Sequence, residues 1–325
     1  MARITTINDL VFPVELHPVY TEIKVNGKEK RIEVPNSRIV VNNKSGKPLG
    51  VVSSNYKLIT NEEAIELGKK CCTQLFGTDQ VSNIEIFNVD APSTGSYCHI
   101  DLVHKGYVMN LFDEKQKSEI YIPYVRITNS YNTSRALSFD IGFCRKICLN
   151  GVIFESETIK FTFSHVKHQL NRDISFSLEN EKITNLFEYF SSYVKKLKDY
   201  EIPMEKSYEI IFALFKIKEV SEINFNDKKE DKKEYEFLLS EIEKKLKNYV
   251  DEIGENSYSL FNVITDIASH SIESRYFRRD TNSMQRLAGN WINSFQKEIE
   301  NKDFSIDKYI SELKVVSSKS LHLNT

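Results

Sequence analysis

The chain has 325 residues and a formal net charge of −2, so it can bury a sizeable core and has no global attraction for nucleic acid or anionic membranes. It contains no run of about 18 apolar residues, and its opening residues lack the pattern of a secretory signal. The five cysteines are an odd number in a chain without an export signal, which favours reduced thiols. We therefore expect a globular cytoplasmic protein that does not bind membranes.

In chain order, the N-terminal half is predicted to be mostly β-sheet. Short runs rich in Val, Ile, Tyr, Phe and Thr are separated by turn signals such as Asn26-Gly27, which is typical of hairpins. One helix is predicted near 61–76, because Thr60 or Asn61 can cap its first amide groups and Gly77 can end it. A single helix is thus expected to interrupt the strands.

Beyond residue 178 the apolar residues recur at helical spacing. The first such stripe comprises Ile183, Leu186, Phe187, Phe190, Val194 and Leu197. Further helices are predicted at about 204–217, 231–252, 257–275 and 282–299. We predict an α+β fold with a β-rich domain over 1–178 and a mainly helical region over 179–325 that packs on it.

Two of the predicted C-terminal helices carry continuous apolar stripes. Their members are Leu260, Val263, Ile264 and Ile267 in the first helix and Met284, Leu287, Trp291 and Phe295 in the second. Such stripes usually form core, so we expect Trp291, the single tryptophan, to be buried. If the stripes instead bind a partner, the chain is an interaction protein.

The motifs of common enzymes are absent from the sequence. It lacks GxGxxG, GxxxxGK[ST], GxSxG and HExxH, which lowers the expectation of an enzyme. Cys144, Cys148, His165 and His168 are residue types that can bind zinc. The spacing within the cysteine pair and within the histidine pair, however, differs from that of zinc knuckles. We therefore predict no catalytic residues, no metal and no cofactor.

The segment 126–172 is cationic, unlike the rest of the chain. It holds seven Arg or Lys and three acids, which gives a local charge of +4 and leaves −6 elsewhere. Arg126 and Arg135 flank the turn TNSYNTS, and Arg145 and Lys146 occupy a following strand. On one face of a sheet, these four cations could bind phosphates, while nearby aromatic rings could stack on the bases of a single strand. A solvated sheet face is the alternative.

Several motifs together resemble a known family. They are GVVSSNYKLITNEEA (50–64), ITNSYNTSRA with CRKICLNG (127–151), VKHQLN (166–171), and YSLFNVITDIASH (258–270) followed by RLAGNW. They resemble the phage- and plasmid-related domain-of-unknown-function family that includes the YfjQ-like proteins. Tyr131 and Asn132 stand where that family often has His and Asp, so the resemblance implies binding more readily than acid-base catalysis.

The resemblance and the local charge together define a candidate site. We predict that nucleic acid is bound by Arg126, Asn129, Ser130, Arg135, Arg145, Lys146, Asn150, Lys167, His168 and Arg172. The predicted order of elements is also similar to that of phage single-strand annealing recombinases, which implies a homo-oligomer, although a fold-level analogy cannot establish function.

Three hypotheses of function follow. The first is a non-enzymatic protein that binds or anneals single-stranded DNA in phage or plasmid recombination or replication. The second is an interaction protein of a phage defence or counter-defence system that binds its partner through the C-terminal helices. The third is an enzyme that uses Arg145, Lys167 and His168 on a phosphorylated substrate.

Overall fold

The computed structural model has the predicted α+β composition. It describes residues 3–77, 81–111, 119–146, 150–153, 160–166, 180–218, 229–270 and 280–319, together with Val220, Ile223, Ile272, Ser274, Tyr276 and Phe277. Strands dominate the N-terminal half and helices dominate the C-terminal half, which confirms the predicted fold class. In these ranges, no helix combines the length and the apolar character needed to cross a bilayer.

Eleven strands are present among the described residues. Their bounds are β1 (Arg3–Ile4), β2 (Val14–Val25), β3 (Lys28–Asn42), β4 (Lys47–Ser53), β5 (Ile84–Pro92), β6 (Tyr97–His104), β7 (Met109–Asn110), β8 (Ile120–Ser130), β9 (Leu137–Arg145), β10 (Gly151–Ile153) and β11 (Lys160–Phe163). One sheet has the order β1-β5-β6-β8-β9-β10, with β11 paired to β9 and β7 to β8. A second sheet has the order β2-β3-β4.

The described ranges also contain eight α-helices. Their bounds are α1 (Ile7–Leu10), α2 (Asn61–Phe76), α3 (Asn180–Asp199), α4 (Met204–Phe215), α5 (Lys229–Ile253), α6 (Ser257–Ser269), α7 (Thr281–Ile299) and α8 (Ile306–Lys319). The prediction over 257–275 extends beyond the end of α6, because Ser274 begins a tight turn that the Phe277 amide closes by donating to the Ser274 carbonyl.

The chain divides into two compact units. Unit 1 comprises Met1–Val108, Ile122–Gly142 and Thr158–Thr184, and unit 2 comprises Met109–Tyr121, Phe143–Glu157 and Asn185–Thr325. Two stretches of the N-terminal half therefore belong to unit 2, whereas the sequence prediction divided the chain once, near residue 178. Strands β8 and β9 each contribute residues to both units.

Helix α2 forms where the sequence predicts it and packs on the sheet of unit 1. Thr60 accepts from the Glu63 amide, and Glu63 accepts from the Thr60 amide, so the helix starts with a full capping box. A Cβ on Gly68 would lie 2.4 Å from the Cδ1 atom of Ile127. A larger residue there would clash with the Ile127 side chain of β8, so this glycine allows the helix to pack closely on the strand.

Unit 2 is built around the two apolar stripes of its helices. Leu260, Val263, Ile264 and Ile267 of α6 are buried, as are Met284, Trp291 and Phe295 of α7. The Trp291 ring is 2% exposed and stacks on Phe295 with centroids 4.9 Å apart. The prediction that Trp291 is buried is therefore confirmed, and Leu287 is half-buried.

We predict that Trp291→Ala lowers the free energy of unfolding by about 3 to 5 kcal/mol, because it leaves a large cavity beside Phe295. Phe237→Ala is the matched control, since this aromatic side chain of unit 2 is half-exposed, and we expect a cost of about 0.5 kcal/mol. Chemical denaturation followed by circular dichroism measures both. Similar losses in the two variants would contradict the assignment of Trp291 to the core.

Candidate nucleic-acid interface

Arg126, the first cation of the predicted site, lies inside unit 1. Its side chain is 1% exposed, and its Nε and Nη2 atoms donate to Asp101 at 2.7 and 2.6 Å. Burial disfavours the charged guanidinium, but the Asp101 carboxylate outweighs that effect and raises the pKa of Arg126. The sequence predicted a phosphate ligand for this cation, whereas the structure gives it a carboxylate from the facing strand.

The polar residues of the predicted turn hold the start of α2. The Asn129 amide donates to the Ile59 carbonyl at 3.0 Å and to Asn61 Oδ1 at 2.9 Å, and Tyr131 Oη accepts from the Asn61 backbone amide at 2.8 Å. Ser130 Oγ donates to the carbonyl of Arg135 at 2.7 Å. The Asn129, Ser130 and Tyr131 side chains are buried, so their contacts in unit 1 are structural.

Two predicted cations are exposed. In unit 1, the Arg135 guanidinium lies 5.6 Å from the centroid of the Tyr97 ring, which is a cation–π contact. In unit 2, the Lys146 side chain is exposed, and its backbone amide donates to the carbonyl of Ile120. Each remains available to a ligand of its own unit.

Arg145 and Asn150 belong to a polar network inside unit 2. Arg145 is 2% exposed and pairs with Glu119 through two hydrogen bonds of 2.6 and 2.7 Å. Asn150 donates to Tyr249 Oη at 2.8 Å, and Tyr249 Oη donates to Asp266. The Arg145 backbone amide donates to the Asn150 carbonyl at 3.1 Å, so the structure brings these two predicted residues together, with both of their side chains buried in unit 2.

Other predicted residues lie outside the part of the chain that the structure describes. They are Lys167, His168 and Arg172 of the proposed site and Cys148 of the zinc alternative.

The hairpin whose Asn26-Gly27 turn the sequence predicts was not among the predicted site residues, yet it forms the longest run of exposed residues in the described part of unit 1. Strands β2 and β3 meet at Asn26 and Gly27, whose φ angles of 52° and 77° are those of a type I′ turn. Every residue from Tyr20 to Arg31 is exposed. We call the paired segment Tyr20–Glu33 the distal arm.

The distal arm is anchored at its base. Val14 of β2 and Val40 of β3 join a buried cluster with Leu49, Val52, Tyr56 and Tyr131. The pairing register shifts between Pro18 and Tyr20, and Asn36 has a φ angle of 58° within the irregular stretch. Such a bulge twists and redirects a ribbon, so it separates the packed base from the exposed arm.

The two faces of the distal arm differ in charge. Cross-strand partners share a face, so Ile23 lies with Lys30 and Val25 with Lys28. We call this the lysine face, and its members are Thr21, Ile23, Val25, Lys28, Lys30 and Ile32. Within Tyr20–Glu33, all of which the structure describes, the lysine face carries no carboxylate.

The opposite face compensates its own charges. Glu22 lies opposite Arg31, and Lys24 lies opposite Glu29. Arg31 also lies 4.2 Å from the centroid of the Tyr20 ring. The lysine face therefore carries the uncompensated positive charge of the arm, next to apolar side chains that are 40% exposed at Ile23 and 46% exposed at Val25.

We predict that Asp101→Asn lowers the free energy of unfolding by about 3 to 5 kcal/mol, because it leaves the Arg126 charge buried without its carboxylate. Glu85→Gln is the matched control, since it removes an exposed carboxylate of unit 1 that pairs with Lys105, and it should cost about 1 kcal/mol or less. Urea titration of both variants measures the difference. Equal losses would show that the buried pair has no special role.

The greater part of the chain matches one known protein family. Residues 48–291, about three quarters of the sequence, match the family described as Domain of unknown function (DUF932). Searches of curated proteins and of solved structures gave no match. The matched residues include the Arg145 network, whereas the distal arm precedes them.

Proposed function

The chain belongs to the DUF932 family, and we propose that it binds single-stranded nucleic acid through the lysine face of its distal arm. The observation that carries this proposal is the joint exposure of two lysines and two aliphatic side chains, without an acid, on one face of a protruding ribbon. Exposing Ile23 and Val25 side by side to water is unfavourable, and adjacent exposed apolar side chains often mark a binding surface.

The chemistry of the lysine face is complementary to a single strand. Lys28 and Lys30 are two positions apart on β3, so their Cα atoms are about 7 Å apart and their side chains can contact successive anionic groups. Ile23 and Val25 offer apolar surface to unstacked bases. A duplex keeps its base faces inside the stack, so it could use the lysines but would leave the aliphatic side chains in water.

A further exposed cation of unit 1, Arg135, supports the binding of single-stranded nucleic acid. Arg135 lies over the Tyr97 ring, and pairs of a cation with an aromatic ring recur where proteins bind single strands. The predicted role of Arg135 is thus retained in this proposal, together with the exposed Lys146 of unit 2.

The alternative hypothesis, an interaction protein that uses the C-terminal helices, has less support. Its basis was the pair of apolar stripes on α6 and α7, and most of their side chains are buried within unit 2. We place the proposed binding activity in phage or plasmid recombination or replication, because the motif resemblance implies carriage on mobile elements. Annealing by a homo-oligomer is the specific process we propose, by analogy with the phage single-strand annealing recombinases.

We predict that Lys28→Gln with Lys30→Gln weakens binding to single-stranded DNA and reduces the salt dependence of the binding constant. The loss of two phosphate contacts should reduce the slope of log K against log salt by about 1.4, at about 0.7 for each contact. Fluorescence anisotropy with an unstructured oligonucleotide at several salt concentrations measures both quantities.

The matched control is Lys24→Gln with Arg31→Gln. It removes the same charge from the same arm but from the opposite face, where both cations lie opposite acids. We expect a smaller change in slope for this control. Equal changes in the two double variants would leave net charge as the explanation and sink the assignment to the lysine face.

We further predict that Ile23→Thr with Val25→Thr weakens single-strand binding but leaves the salt slope unchanged. Threonine keeps the β-branched shape that suits a strand and removes apolar contact area without touching a phosphate contact. Binding to duplex DNA should change less than binding to the single strand. An unaltered affinity for the single strand would argue that bases do not contact the arm.

A further inference from the structure

Unit 2 contains a polar cleft of about 300 Å³, which is at the lower end of the range for small-molecule sites. Helix α5 forms one wall, Asp266 of α6 contributes a second, and Arg145 lies at the end of β9. The residues that line it include Arg145, Lys244, Lys245, Asn248, Tyr249 and Glu252. Every one of them has a polar or charged side chain.

One wall of the cleft is fixed by Asp266. Its carboxylate accepts from Lys245 Nζ at 2.7 Å and from Tyr249 Oη at 3.0 Å, and it lies 3.4 Å from His270 Nδ1. Burial would raise the pKa of Asp266, but the His270, Lys245 and Tyr249 hydrogen bonds lower it. Asp266 therefore stays ionised and holds Lys245 and Tyr249 in place.

Arg145 has two carboxylate partners, one largely buried and one half-exposed. Glu119 binds its Nε and Nη2 atoms, and the Glu119 side chain is largely buried. Glu252 accepts from Nη2 at 2.9 Å, and its side chain is 50% exposed. Glu119 therefore neutralises the buried guanidinium, while Glu252 is the weaker and more accessible partner because solvent competes for its carboxylate.

We infer that this cleft binds a small organic phosphate whose phosphate group replaces the Glu252 carboxylate on Arg145. Glu252 presents an anion to Arg145 at the cleft, so it occupies the position that the ligand anion would take. Its rotation into solvent requires no change in the Arg145–Glu119 pair. The exchange leaves the buried guanidinium with an anionic partner throughout.

A phosphate fits the donors better than a second carboxylate does. Besides Arg145, the cleft is lined by Lys244 and Asn248, two hydrogen-bond donors that lie one helical turn apart on α5. A phosphate monoester has three terminal oxygens and a charge near −2, so it can accept from more donors at once than a carboxylate, which has two oxygens. Lys244 is only weakly engaged, at 3.9 Å from Glu241.

The test is a titration of inorganic phosphate into the full chain, followed by amide NMR shifts of the α5 residues. The wild type should show saturable shifts centred on Asn248. Glu252→Ala removes the competing anion and should tighten phosphate binding by up to about fivefold, the effect expected for losing one exposed ion pair. Acetate, tested in parallel, should bind more weakly than phosphate.

Lys244→Gln should weaken phosphate binding, and Lys247→Gln is its matched control, because Lys247 is exposed on the same helix and does not line the cleft. These variants retain the buried Arg145–Glu119 pair, so folding is not at issue. Absence of saturable shifts in both wild type and Glu252→Ala would overturn the proposal. So would equal effects of Lys244→Gln and Lys247→Gln, which would indicate general charge attraction.

Discussion

The buried bidentate ion pair between Arg126 and Asp101 determines which cations of unit 1 can bind an external anion, because it compensates the Arg126 charge inside the unit. A guanidinium carried into the interior of a sheet needs a carboxylate, and β6 supplies one directly opposite β8. Arg145 obeys the same rule in unit 2 through Glu119. Because Arg126 and Arg145 are compensated internally, a ligand that needs exposed positive charge must use other positions, and the distal arm of unit 1 has several.

Local sequence patterns predicted the elements of the fold well. The cap at Thr60, the glycine at 77 and the helical stripes around Trp291 each depend on residues within a few positions of one another, and the structure has all three features. The Asn26-Gly27 turn was equally visible. Its consequence was not, because exposure of a long hairpin depends on whether other parts of the chain cover it, which the pattern of the hairpin itself does not reveal.

The candidate site was harder to predict for a physical reason. A strand with a cation among apolar residues looks the same whether the cation faces solvent or a carboxylate on a neighbouring strand. Asp101 precedes Arg126 by 25 residues and Glu252 follows Arg145 by 107, so neither partner belongs to the local pattern. Cationic segments in a sheet-rich sequence therefore predict a binding surface only after the acids that could pair with them have been placed.

The distal arm and the Arg145 cleft represent two different ways of presenting positive charge. The arm separates Lys28 and Lys30 from its acids by placing them on opposite faces of one ribbon, so the positive charge of the lysine face is exposed along the length of the arm. In the cleft, Arg145 remains compensated, and an anion must displace Glu252 to reach it, which restricts the site to a small ligand with a strong charge. The family match includes the cleft and begins after the arm. The case for the arm therefore depends on the side chains of this chain alone, whereas the cleft lies in the part of the chain that matches the family.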